Sequence, residues 1–206
     1  TNWSPESKQI VWTAASLAFF GAMRFGELLP KNKHSYCPED TLLWSDIRTM
    51  DDDSFLIHVK TPKSKASEGE FIDIFKFEGF GTCPVAALSR LKLISDDSPE
   101  RPVFMFPNGH CLTQACMNSL IRSLLRPLIG TDADSLSCHS FRGAIPSALG
   151  KCPDISKEDT QGWGRWSSSA YLLYSRLKID QKRAIFSRIS KVLGMQAGRL
   201  SSQLPL

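Results

Sequence analysis

The chain has 206 residues, enough for one domain with a sizeable core, and that is the expected organisation. Its 25 Lys and Arg against 21 Asp and Glu leave a net charge of +4, too mild by itself to identify a nucleic-acid binder. The six cysteines contain no CxxC pair, which argues against a zinc site and reads as buried reduced thiols. No N-terminal signal pattern and no apolar run long enough to span a bilayer is found, so the expectation is an intracellular protein with no membrane partner. Thr1 is not an initiator methionine, which leaves room for an upstream segment.

In chain order, Ser4-Pro5-Glu6 predicts a helix start, with Ser as N-cap and Pro in the first turn, and the apolar stretch Ile10 to Phe20 continues it. Arg24 to Leu29 predicts a second, short helix that Pro30 ends. Phe55 to Val59 and Phe71 to Phe77 are rich in β-branched and aromatic residues and predict two strands. The polar stretch Lys60 to Gly69 between them predicts a loop. Thr82 and Pro84 open a helix running to about Ile94, and Pro107-Asn-Gly109 marks a turn before a helix beginning near Thr113. The rest reads as helical: His139 to Leu149, Ile155 to Gly162, Ser168 to Leu177 and Gln181 to Leu193. The expected class is therefore α+β, mainly α with a small antiparallel sheet in the N-terminal third.

Charge is unevenly spread. From Lys151 onward there are ten Lys or Arg and four Asp or Glu, a net +6 against −2 for residues 1–150, so positive potential gathers where a polyanion could be held.

Four separated pieces carry groups able to do chemistry: Gly21-Ala-Met-Arg24-Phe-Gly-Glu27-Leu, the Lys60/Lys63/Lys65 stretch, Cys138-His139-Ser-Phe-Arg142, and Gly164-Arg-Trp166 followed by Tyr171 and Tyr174. Taken singly, each has a plainer reading. Arg24 and Glu27, three apart, suit a surface ion pair worth about 0.2–0.5 kcal/mol. The lysines suit solvated charge, and Trp163, Trp166, Tyr171 and Tyr174 suit a core. Order and spacing together change this: the arginine turn, a strand-loop-strand lysine, His-x-x-Arg, then a Trp eight residues before a Tyr, with 32 residues from Arg142 to Tyr174.

In this order and spacing the chain resembles the tyrosine recombinase (phage-integrase-like) family over about residues 4–193. The ending Gly164-Arg165-Trp166-Ser-Ser-Ser-Ala170-Tyr-Leu-Leu-Tyr174 looks most like the recombinases of DIRS-type and Crypton-like eukaryotic mobile elements. The resemblance implies the catalytic-domain fold of that family and site-specific DNA cleavage and rejoining through a 3′-phosphotyrosine, for a mobile element. Tyr174 would be the nucleophile, with Tyr171 as the alternative one turn earlier. Arg24 and Arg142 would pair with the non-bridging phosphate oxygens, a task that suits the guanidinium fork. A loop lysine would protonate the leaving 5′-oxygen: Lys63 is the choice, and Lys65 and Lys60 are the alternatives. His139 would assist proton transfer or bond the phosphate. Trp166 stands where many relatives carry a second His and can only donate, and Glu27 would orient Arg24 or His139.

No cofactor or metal is implied, because the phosphotyrosine bond stores the energy for rejoining. The partner would be double-stranded DNA, engaged as a homo-tetramer on two sites, and the protein would act in the nucleus if the source is eukaryotic. Relatives carry an N-terminal DNA-clamping domain, of which this chain shows no sign, so weak, salt-dependent DNA binding and a weakly associating or monomeric state without DNA are expected. Residues 178–206 read as a C-terminal helix and tail, where Ile185, Ile189, Val192 and Leu193 form an apolar stripe. That stripe suits docking on a neighbouring subunit and packing on its own domain equally. Two other functions fit the same fold: a catalytically silent DNA-binding protein, and a type IB topoisomerase, although the Ser-Lys-x-x-Tyr setting usual for the latter is absent.

Overall fold

The computed structural model describes residues 3–51, 54–60, 69–77, 82–141 and 155–165. These form an α+β fold of helices around one small antiparallel sheet. Helix α1, Pro5–Phe20, starts as the sequence predicts, with the Ser4 side chain accepting the Ser7 N–H at 3.1 Å. The second helix is a single turn, α2, Phe25–Leu28, with Arg24 at its N-cap rather than inside it.

The sheet has three strands where two were expected: β1 Ile47–Asp51, β2 Ser54–Val59 and β3 Glu70–Phe75, in the order β1-β2-β3. The additional strand follows a 3-10 turn, Trp44–Asp46. Its sequence, Ile-Arg-Thr-Met-Asp, offers almost no apolar alternation, because it is an edge strand that gives the core only one large residue, Ile47. β3 begins one residue before the expected strand and ends at Phe75.

Helix α3, Pro84–Ile94, is capped by the Cys83 side chain rather than by Thr82. It packs along α1, to which the Ala87 carbonyl is tied by Gln9 Nε2 at 2.9 Å and Thr13 Oγ1 at 3.0 Å. Helix α4, Gln114–Ile129, has Thr113 as its N-cap and leads into a 3-10 segment, Gly130–Ser135, for which the sequence predicted no element. A helical turn occupies 138–141, and helix α5, Lys157–Gly164, has Ser156 as its N-cap and begins two residues later than expected. The helices expected over Ser168 to Leu177 and Gln181 to Leu193, the rest of that over His139 to Leu149, and the 178–206 tail lie outside the described residues. No helix of the described residues is long and apolar enough to cross a membrane.

Two apolar clusters hold these elements. The larger joins α1, α2, α3, α4, the inner face of the sheet and Cys138. Burial pushes the Cys138 thiol up to about 11, so it behaves as an inert apolar group. The five described cysteines are free thiols, buried at Cys111 and Cys138 but exposed at Cys37, which corrects the expectation for that residue. The smaller cluster gathers Phe20, Ala22, Phe75, Phe77 and Trp163, and it fixes α5 where α1 ends and β3 runs out. Trp163 is thus a packing residue.

Gly21, at the exit of α1, lies under this junction. A Cβ there would meet Ile74 Cδ1, the Leu17 carbonyl and Met23 Cγ, each at 2.9 Å, and the carbonyl cannot yield without distorting the helix. Gly21→Ala is expected to cost about 1–3 kcal/mol, read as a lower urea midpoint at unchanged slope. An unchanged midpoint would show that the junction is loosely packed.

Candidate functional site

Between α1 and α2 the chain turns on Ala22, whose φ is 46°. Arg24 then caps α2, and Glu27 reaches back to it. The Glu27 carboxylate accepts the Arg24 backbone N–H at 2.8 Å and Arg24 Nη1 at 2.7 Å. The expected surface ion pair is therefore something else, because Glu27 is only 6% exposed. An isolated charge so buried would be strongly disfavoured, and a third partner compensates it.

That partner is Arg165, 138 residues away, whose Nη2 donates to Glu27 Oε2 at 2.8 Å. Its Nη1 donates to Glu70 Oε2 at 3.0 Å, and Nη2 also approaches the Ala22 carbonyl at 3.5 Å. The Arg165 side chain is 11% exposed, and its Nε–H has no hydrogen-bond partner among the described residues. Burial alone would raise the Glu27 pKa. The charge and hydrogen bond of Arg165, then the Arg24 backbone and side-chain bonds, outweigh burial and hold the carboxyl below its ordinary value.

Arg165 is the functional candidate that the sequence did not single out. It follows Gly164 at the end of α5 in the left-handed conformation, φ 53° and ψ 37°, where a helix stop favours glycine. An arginine there costs about 1–2 kcal/mol of backbone strain. Among the described residues, Ala22 and Arg165 are the two non-glycine residues with positive φ, and they touch each other. The available signal was an arginine at a position where the chain needs the αL conformation.

Glu70 ties the sheet to this cluster. It opens β3 opposite Val59 of β2, at the foot of the hairpin that carries the lysines. Gly69, just before it, has φ +79°, and a Cβ there would meet the Val59 carbonyl at 2.7 Å, so only glycine makes this foot. At the other foot, Lys60 Nζ contacts Asp46 Oδ2 at 2.7 Å, the Pro38 carbonyl at 2.7 Å and the Thr41 carbonyl at 3.1 Å. These three acceptors occupy its three N–H groups, so Lys60 is an anchor here. Lys63 and Lys65 lie outside the described residues.

His139 is exposed on the helical turn 138–141, whose start is capped by the Ser137 hydroxyl on the His139 N–H at 3.3 Å. That turn is docked on α2: Phe141 packs edge-on against Phe25 with ring centroids 5.5 Å apart. The structure thus joins the Arg24 turn, the hairpin foot, the end of α5 and the turn bearing His139. Arg142, Trp166, Tyr171 and Tyr174 lie outside the described residues.

Arg24 is a third exposed, and Glu27 engages only its Nη1. Its remaining N–H groups form no bond among the described residues. Paired carboxylates and guanidiniums of this kind make an oriented, charge-assisted donor rather than a nucleophile or a metal centre. No protein-family model matches the chain, and no curated protein matches it.

Proposed function

We propose that the protein is the catalytic domain of a DNA strand-exchange enzyme of the tyrosine recombinase type, belonging to a mobile element. The observation that carries this reading is the convergence on α2 of pieces far apart in sequence. The Arg24 turn, the foot of the lysine hairpin, the Gly164-Arg165 segment and the His139 turn meet through Glu27, Glu70 and the Phe25–Phe141 contact. Backbone strain at both Ala22 and Arg165 adds support, since strained residues gather at functional sites.

In the proposed reaction the Tyr174 phenol loses its proton as its oxygen bonds to phosphorus. The bond from phosphorus to the 5′-oxygen breaks, and that oxygen takes a proton from Lys63, with Lys65 as the alternative. A phenol of ordinary pKa near ~10 is about one part in a thousand ionised at neutral pH, so Arg24 and Arg142 serve both phosphate and phenolate. His139 accepts the phenol proton, and Trp166 donates to the phosphate. Rejoining reverses these steps with another strand's 5′-hydroxyl. The substrate is double-stranded DNA, bound by subunits that assemble on two sites as a homo-tetramer.

The test is to incubate the protein with nicked suicide duplexes randomised around the nick, recover protein–DNA adducts under denaturing conditions, and map the modified peptide by mass spectrometry. A phosphodeoxynucleotide on Tyr174 is the expected result. Modification of Tyr171 moves the nucleophile by one turn. Retardation of the duplexes without any adduct favours a silent DNA-binding protein, and relaxation of supercoils by the monomer favours a topoisomerase.

A further inference from the structure

We propose that Arg165 is a positioning residue for Arg24, holding the phosphate-binding guanidinium in register with the sheet through the chain Glu70–Arg165–Glu27–Arg24. This inference rests on the reading above, and it assigns a role to a residue that the reading leaves without one.

Arg24 caps a helix of one turn, which has little rigidity of its own. Its side chain has one hydrogen-bond partner among the described residues, Glu27. Glu27 in turn divides its two oxygens, Oε1 taking Arg24 Nη1 and Oε2 taking Arg165 Nη2 and the Arg24 backbone N–H. The direction in which Glu27 presents Oε1 is therefore set from the other side by Arg165. Arg165 is itself fixed three times over: by Glu70 on β3, by the Ala22 carbonyl, and by the αL backbone that ends α5. A planar fork offers a separate nitrogen to each carboxylate in a fixed geometry, which a single flexible ammonium does not.

The arrangement carries a cost that packing alone does not require. A nearly enclosed arginine on a strained backbone, with one N–H that has no partner among the described residues, is a poor choice for stability, since apolar residues commonly replace buried ion pairs without loss. What it provides is orientation. A guanidinium aimed before the phosphate arrives needs no reorganisation when negative charge develops.

The experiment uses the full chain and compares adduct formation on a phosphodiester with that on a methylphosphonate, which lacks the charged non-bridging oxygen that Arg24 serves. On the phosphodiester, Arg165→Met and Arg24→Lys are each expected to slow adduct formation on the order of 100-fold. On the methylphosphonate both penalties shrink to within about threefold of wild type, because the interaction that they impair is no longer made. Arg165→Lys, which keeps the charge but presents its donors from a single nitrogen rather than a planar fork, falls between wild type and Arg165→Met. Should Arg165→Met fail to fold, Glu70→Gln, at the more exposed end of the chain, shows the same substrate pattern with a smaller loss. An equal penalty on both substrates shows a merely structural role and overturns the inference alone. A wild-type protein that forms no adduct on either substrate overturns the recombinase reading and this inference with it.

Discussion

Glu27→Ala is expected to destabilise the fold by about 3–5 kcal/mol, as removal of one partner from a buried ionic cluster does. Glu27 accepts three bonds, from the Arg24 backbone, Arg24 Nη1 and Arg165 Nη2. With it gone, Arg24 can turn to water, but Arg165 cannot. That side chain stays enclosed with Glu70 as its remaining carboxylate, and the loss falls chiefly there. A chain of this length should lose roughly 10 °C in Tm, with a lower urea midpoint at unchanged slope. Acid titration supplies the second reading. Because the folded pKa of Glu27 is depressed below 4.5, its contribution is fully present above that value and is lost as pH falls through the lower, folded value. The stability gap between wild type and Glu27→Gln should therefore hold steady from neutral pH to about pH 5 and close in stronger acid. A gap that widens on acidification would mean that Glu27 is not the ionised centre of the cluster.

The parts of the fold that sequence made legible are those set by local rules. The Ser4-Pro5 start of α1, the Thr113 start of α4 and the strand cores around Ile57 and Ile72 follow from capping and alternation. β1 does not, because an edge strand needs apolar residues on one face only, and five residues are too few to show a period. The 3-10 turn before it went unread, and with it Asp46, the carboxylate that immobilises Lys60. At the site, the Arg24–Glu27 spacing was legible but its meaning was not. Burial of Glu27 is a tertiary property created by Arg165 and by the α5–sheet junction, and nothing within a turn of Glu27 encodes it. Arg165 itself was hidden by its neighbours, since its importance comes from a backbone conformation that a residue type reveals only when it is glycine.

Arg24→Lys tests the charge-stabilising half of the proposal, and its expected effect is a loss of about 10²–10³-fold in the rate of adduct formation. The substitution keeps the charge and most of the length, so the loss has to come from geometry. Arginine offers Nη1 to Glu27 and still has N–H groups left for a phosphate. Lysine has one ammonium, and the nearly enclosed Glu27 carboxylate is fixed in place and close at hand, whereas a phosphate arrives only with the DNA. The ammonium is therefore expected to settle on Glu27, which leaves the fold as stable as before and the phosphate without its fork. Affinity for duplex DNA should change by no more than about threefold, because one contact among many sets little of the salt-dependent binding. Binding and stability that hold while the rate collapses would place Arg24 on the reacting phosphate. A rate within a few-fold of wild type would instead make the Arg24–Glu27–Arg165 cluster a structural clamp, and the phosphate would have to be met by other residues.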